Sequence, residues 1–251
     1  MSKKEVINYC IVGLGGHSEN KIVPAIYSSR NNLWGVVTKR KNVSMQNTKF
    51  FRNLNSAITS CPKNTLFIIS NEPRNHFRNA KKILDKGFSV LIEKPIVLHK
   101  KEIDELTSSI KYNFFCECFM YRYSIMNFKI KRFIKNNKKI RKIDIVFTIP
   151  RLPSRSFRNE KKMSSSLIYD MGCYAYSFIN ENKIKLMKLN LVDVNYKGDI
   201  SKEKFKIEAS GHLNKQKVQL NLKFGIGKKY QNQISIFHNN NRHTFRPFFY
   251  G

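Results

Sequence analysis

Acidic residues are scarce in this chain of 251 residues: 17 Asp and Glu stand against 47 Lys and Arg, a formal charge of +30. Such an excess raises nucleic acid, an anionic membrane or a phosphorylated ligand as partner. No single basic block with interleaved aromatics occurs; the charges are spread along the chain. A nucleic-acid module is therefore not expected. Lys, Asn, Ile, Phe and Tyr, plentiful together, all have A/T-rich codons, and biased base composition accounts for the same balance. No apolar stretch approaches the length of a membrane span. The apolar run after Lys3 and Lys4 is broken by Asn8 and ended by Gly13, too short for a signal peptide. Cysteine is sparse and odd in number: Cys10, Cys61, Cys116, Cys118 and Cys173. All but Cys61 lie in apolar surroundings, which reads as reduced core thiols of a cytoplasmic protein. Cys116 and Cys118 have no second pair or histidine cluster nearby, so no metal site is expected.

What is present is an alternation of apolar runs and helical patterns. Residues 6–12 (VINYCIV) read as a strand, followed at once by Gly13-Leu14-Gly15-Gly16-His17-Ser18. Residues 20–29 read as a helix, with Pro24 an irregularity. Strand, glycine turn and helix are the setting of a dinucleotide fingerprint. Gly13 suits the tight turn, and Gly15 lets the backbone approach a pyrophosphate at the helix N-terminus. Ser18 replaces the third glycine and is small enough for close helix–strand packing. Residues 33–37 (LWGVV) read as the second strand. An NAD unit expects an acid near its end to hold the ribose 2′-hydroxyl. Thr38, Lys39 and Arg40 stand there instead. Thr38 and Arg40 would receive a 2′-phosphate, with Lys39 as helper, so NADP(H) is preferred and NAD(H) is the alternative.

Residues 65–70 form a third apolar run, and 71–76 the turn after it. A helix over 77–86 ends at Gly87, a residue suited to the C′ position. Residues 88–92 read as a buried strand leading into Glu93-Lys94-Pro95. A further helix over 99–110 and strand over 113–119 follow. Alternation at this spacing predicts a doubly wound parallel sheet.

After Tyr121 the pattern changes. Residues 124–136 predict a helix with an apolar face of Ile125, Phe128, Ile130, Phe133 and Ile134. Residues 142–149, 187–196, 204–212, 217–224 and 231–237 alternate apolar and polar side chains, the mark of an antiparallel sheet with one covered face. The expected fold is thus α/β: a Rossmann domain over 1–120, then an α+β domain over 121–251 with an open, mostly antiparallel sheet. One of Ser164 to Ser166 is expected to cap a helix carrying Asp170 and Tyr174, four apart and so on one face. A carboxylate beside a phenol suits an orienter and an acid; a helix whose tyrosines simply pack on the sheet fits the spacing better.

Several stretches in order resemble the glucose–fructose oxidoreductase, inositol dehydrogenase and rhizopine (Gfo/Idh/MocA) family. They are the glycine turn with Pro24-Ala25-Ile26, the His76 turn, Gly87 with Glu93-Lys94-Pro95, Met120-Tyr121-Arg122-Tyr123, and Tyr169-Asp170-Met171-Gly172-Cys173-Tyr174. The resemblance implies that Lys94 contacts substrate and cofactor, that Tyr174 is the acid/base residue, and that Asp170 orients it or the substrate. Many members carry histidine at the position of Tyr174. Arg122 joins Lys94, Asp170 and Tyr174 as a candidate substrate contact. The candidate cofactor contacts are Gly13, Gly15, Gly16, His17, Thr38, Lys39, Arg40, Ser70, Asn71, His76, Glu93 and Lys94. The chain departs from the family pattern at Ser164 to Ser166, where glycines are usual, and at Glu72, where smaller residues are commoner. It also stops tens of residues before family members usually do, which would leave its second domain shortened.

The function expected is transfer of a hydride between NADP(H) and a hydroxyl or carbonyl carbon of a sugar, polyol or nucleotide-sugar. A homodimer or homotetramer through the open sheet is the expected assembly. The competing readings are a catalytically silent nucleotide-binding or regulatory protein and, resting on charge alone, a nucleic-acid-binding protein.

Overall fold

The computed structural model describes residues 6–151, 167–195 and 204–249. The chain divides into two compact units, Met1–Cys118 and Phe119–Gly251.

The first unit is built on six parallel strands: β1 (Asn8–Val12), β2 (Asn32–Val37), β3 (Lys49–Phe51), β4 (Thr65–Ile69), β5 (Ser89–Glu93) and β6 (Phe115–Cys118). Their order is β3-β2-β1-β4-β5-β6. The helices between them are α1 (Val23–Ser28), α2 (Leu54–Ser60), α3 (His76–Asp85) and α4 (Lys100–Ser108). Side chains alternate across a strand, so β1 feeds two cores. Ile11 packs with Val23 and Ile26 of α1 on one face. Cys10 and Val12 pack on the other with Ala57 of α2, Ile83 and Leu84 of α3 and Leu106 of α4. Both faces are covered, which is why these strands read as continuous apolar runs.

Three local features differ from the sequence expectation. Helix begins at Gly16, and residues Ser18–Ile22 form a π-helical turn ahead of α1. Pro24 sits in the first turn of α1, where its missing N–H breaks the regular ladder. Both β3 and α2 lie in a stretch that carries no strong period. β3 has only three residues, yet Phe51 stacks on Trp34 with ring centroids 5.5 Å apart, and Lys49 lies over the indole at 5.3 Å. α2 is short but capped, since the Asn53 side chain accepts from the Ser56 amide at 2.9 Å.

The second unit is built on β7 (Ile140–Ile149), β8 (Lys185–Asn195), β9 (Lys204–Leu213), β10 (Gln216–Ile226), β11 (Gln231–His238) and β12 (Asn241–Phe245), with α5 (Ile125–Asn136) and α6 (Cys173–Glu181). The order is β12-β11-β7-β10-β9-β8, antiparallel except for the β7–β10 pair. One face of the sheet holds Ile143, Ile145, Leu220, Leu222, Ile234 and Ile236, packed with Ile130 and Ile134 of α5 and Ala175, Phe178 and Ile179 of α6. β12 completes an edge that sequence periodicity did not reveal, because its residues (NRHTF) are mostly polar.

The apolar face expected for α5 is only half right. Ile130 and Ile134 are buried, but Ile125 and Phe128 are exposed at 75% and 58%. Asn127 is buried in their place. Its side chain donates to the Arg122 carbonyl at 2.9 Å, and its amide donates to the capping Ser124 hydroxyl at 3.2 Å. The cap therefore rotates the helix against its own hydrophobicity. The helix-capping role expected within Ser164 to Ser166 lies outside the described residues.

Residues after β12 return to the core. Asn232, 4% exposed, accepts from the Phe249 amide at 2.8 Å and the Phe248 amide at 3.2 Å, and donates to the Phe249 carbonyl at 3.1 Å. Three bonds from one side chain pin two buried aromatics. Asn232→Ala leaves buried main-chain groups short of partners and should lower the stability of this unit by about 2 kcal/mol. Urea unfolding followed by tyrosine fluorescence measures it; an unchanged midpoint would contradict the pinning role.

Candidate active site

In a parallel sheet every strand exits at the same edge, and the strand order reverses between β1 and β4. That reversal opens the crevice where ligands bind. The exits are tightly tied here. The Gly13 amide donates to the Val37 carbonyl at 2.9 Å, and the Ser70 amide to the Val12 carbonyl at 2.9 Å. Gly13 has φ of +100°, and a Cβ there would lie 2.6 Å from Asn71 Cβ and 2.7 Å from the Asn71 amide nitrogen. Glycine is needed for the turn, as expected, and also for the close approach of β4's exit. Ser18 is fully buried; its hydroxyl donates to the Gly13 carbonyl at 2.9 Å and lies 3.0 Å from the Ser70 hydroxyl. The serine at the third fingerprint position thus welds the two turns flanking the crevice.

His17, at the start of the helix, and Glu93, at the end of β5, meet at 3.2 Å between Nε2 and Oε1. His76 is fully buried, with Nδ1 2.8 Å from the Pro95 carbonyl and Nε2 3.0 Å from the Asn71 carbonyl. A neutral imidazole carries one N–H, so the ring donates to one of these carbonyls and lies against the other. His76 thus sits between the Asn71 turn and the Lys94-Pro95 turn. Glu117 of β6 supports the second turn by accepting from the Ile96 amide at 2.9 Å. Lys94 follows Glu93 directly at the β5 exit, and Glu72 pairs with Arg74.

At the β2 exit Thr38 is buried and Lys39 and Arg40 are exposed. The Thr38 hydroxyl accepts from the Arg40 amide at 3.2 Å. Arg40 Nη1 pairs with Glu19 at 2.7 Å and reaches the Leu14 carbonyl at 3.4 Å. Arg52, just past β3, donates from Nη1 to the carbonyls of Lys39 and Arg40, each at 2.9 Å. Glu19 and Arg52 were not predicted. Glu19 follows the fingerprint directly; Arg52 lay in the stretch where no element was read.

The glycine turn leaves the room that a pyrophosphate at a helix start requires. A Cβ at Gly15 would meet nothing within 4 Å, so the space over the turn is open. Asn71 Oδ1, beside the Gly13 turn, is buried with no hydrogen-bond partner among the described residues.

In the second unit Asp170 lies in a π-helical turn, Ile168–Gly172, that runs into α6. Tyr174 is half-buried among the rings of Phe119, Tyr121, Phe147 and Phe249, at centroid distances of 5.4, 6.0, 5.7 and 5.1 Å. Tyr121 is 1% exposed and its hydroxyl donates to Ser177 at 2.9 Å; burial pushes its phenol well above the ordinary tyrosine range. Arg122 has a carboxylate partner. Its Nε pairs at 3.3 Å with Glu181, which Lys131 also holds at 2.5 Å. At about 1.5 Å per residue, Glu181 lies roughly 10 Å along α6 from Tyr174. The structure brings Tyr121 and Phe249 to Tyr174 and gives Arg122 a structural pairing. The sequence offered no signal for Phe249, since the contact depends on the Asn232 hook.

Burial lowers the pKa of His76, against the opposing pull of the two carbonyls and Glu93. The unfolded chain therefore binds a proton near pH 6.5 that the folded chain refuses. Stability should fall as pH drops below about 6.5, toward the lower folded value. Urea midpoints of wild type and His76→Gln at pH 7.5, 6.5 and 5.5 test this; parallel pH profiles would rule it out.

Among the described residues, no helix is long and apolar enough to cross a membrane. Residues 7–113 match the profile of an oxidoreductase family with an NAD-binding Rossmann fold, Gfo/Idh/MocA. Oxidoreductase P35 of Formosa agariphila is 29% identical over 111 residues, 42% of this chain and 35% of that protein's length. The fold resembles myo-inositol 2-dehydrogenase from Lactobacillus plantarum (TM-score 0.80, 18% identity, 96% of this chain and 76% of that one). It equally resembles KijD10, a 3-ketoreductase from Actinomadura kijaniata solved with NADP and TDP-benzene (TM-score 0.80, 16% identity, 97% and 78%). What the comparisons establish is a match of residues 7–113 to the NAD-binding Rossmann part of that oxidoreductase family, and a shared fold over nearly the whole chain.

Proposed function

We propose that this protein is an NADP(H)-dependent oxidoreductase acting on a hydroxyl or carbonyl carbon of a sugar, polyol or nucleotide-sugar. The observation that carries the reading is the crevice at the β1–β4 reversal. There a welded glycine turn with open space above it shares one sheet edge with Thr38, Lys39 and Arg40. The family match over residues 7–113 supports the reaction class, and the fold shared with a myo-inositol 2-dehydrogenase and a 3-ketoreductase supports the substrate class.

A bound nicotinamide supplies or accepts the hydride. The chain's residues do the rest. The amides at the helix start after Gly15 receive the pyrophosphate. Arg40, with Thr38 beside it, receives the 2′-phosphate, for which a guanidinium fork is suited. Lys94 is the cation at the β5 exit that contacts substrate and cofactor. Tyr174 gives or takes the hydroxyl proton at its phenol oxygen. The four surrounding rings fix the plane of its ring, and Asp170 orients the substrate or the phenol.

Tyr174→Phe keeps the ring and removes the proton carrier. It should lower kcat by about 100- to 10 000-fold while leaving the Kd for NADPH within about twofold. Turnover at the wild-type rate would end the assignment. Arg40→Ala should weaken NADPH by about tenfold to a hundredfold and NADH far less. Equal losses for both cofactors would remove the NADP(H) preference.

A further inference from the structure

Glu19 has no part in the reading above, yet it holds the residue on which cofactor choice turns. It sits on the first turn of the helix after the glycine turn, its amide donating to the Gly15 carbonyl at 3.0 Å. Its carboxylate takes Arg40 Nη1 at 2.7 Å. The path of the Arg40 main chain is set by other bonds. Thr38 Oγ1 accepts its amide, and Arg52 holds its carbonyl and that of Lys39. Glu19 therefore acts on the guanidinium alone, not on the loop.

The two side chains are partly open to solvent, at 51% for Arg40 and 33% for Glu19. Such a pair is strong enough to orient a guanidinium and weak enough to be exchanged. A phosphate monoester carries between one and two negative charges at neutral pH and engages the same fork. It must displace the carboxylate from Nη1 or lie close beside it, and two anions repel. A ribose that bears only a 2′-hydroxyl brings no such conflict.

We propose that Glu19 is a specificity-determining residue, an internal rival for Arg40 that lowers affinity for 2′-phosphorylated nucleotides and leaves 2′-hydroxyl nucleotides unaffected. Glu19 then sets the ratio of NADP(H) to NAD(H) binding, and its charge keeps both cofactors within reach of one site. The proposal rests on the cofactor reading above.

The test is binding, not turnover. Wild type and Glu19→Gln are titrated with NADPH and NADH by nicotinamide fluorescence, and with 2′,5′-ADP and 5′-ADP by calorimetry. Glu19→Gln should bind NADPH and 2′,5′-ADP about two- to fivefold tighter, with NADH and 5′-ADP unchanged. The gain should shrink as salt is raised. Glu19→Lys should enlarge it. Equal tightening of all four ligands, or none, overturns the proposal while leaving the cofactor reading intact. Wild type that binds none of the four overturns the cofactor reading, and this proposal with it.

Discussion

The first unit depends on how closely two turns approach one another. Gly13 and Asn71 leave no room for a Cβ between the exits of β1 and β4. Everything at that sheet edge is arranged around this contact. Ser18 spans it from the glycine side, and His76 ties its other end to the Lys94-Pro95 turn. The exits of β1, β4 and β5 are thereby linked by short bonds made mostly to main chain. Main-chain anchors do not change with rotamer, so the crevice is shaped before any ligand enters it. Preorganisation of this kind lowers the ordering cost of binding.

Most of this edge was legible because its signals are local. A strand, glycines and a helix within one short stretch announce the turn, and the missing acid after β2 announces the basic exit. The alternation of apolar runs and helices likewise foretold the parallel sheet. What could not be read depends on distance. The joining of His17 to Glu93 spans 76 residues and follows from strand order, which no local pattern encodes. His76 is singled out by the resemblance of its turn; that its ring lies between two main-chain carbonyls, one 19 residues away, has no local signal.

The second unit shows the same division. Its strands were visible through their period of two. The face of α5 was misjudged because a capping serine and a buried asparagine fix its rotation more firmly than two aromatic or aliphatic side chains do. Arg122 pairs with Glu181, a partner 59 residues away that no local pattern announces. Of the four rings around Tyr174, Phe249 comes from farthest along the chain, held in place by an asparagine on β11 whose role has no sequence signature.

Trp34 is the chain's single tryptophan, and it lies on β2, stacked on Phe51 beneath the Lys49 ammonium. Indole emission from this protein consequently originates in the first unit alone. Tyrosine signals dominate the second, which contains Tyr121, Tyr123, Tyr169, Tyr174, Tyr176 and Tyr230 among its described residues. The molecule thus carries a built-in optical label on its parallel-sheet unit. Selective excitation of the indole separates the melting of that half from the melting of the other, and no engineered probe is required.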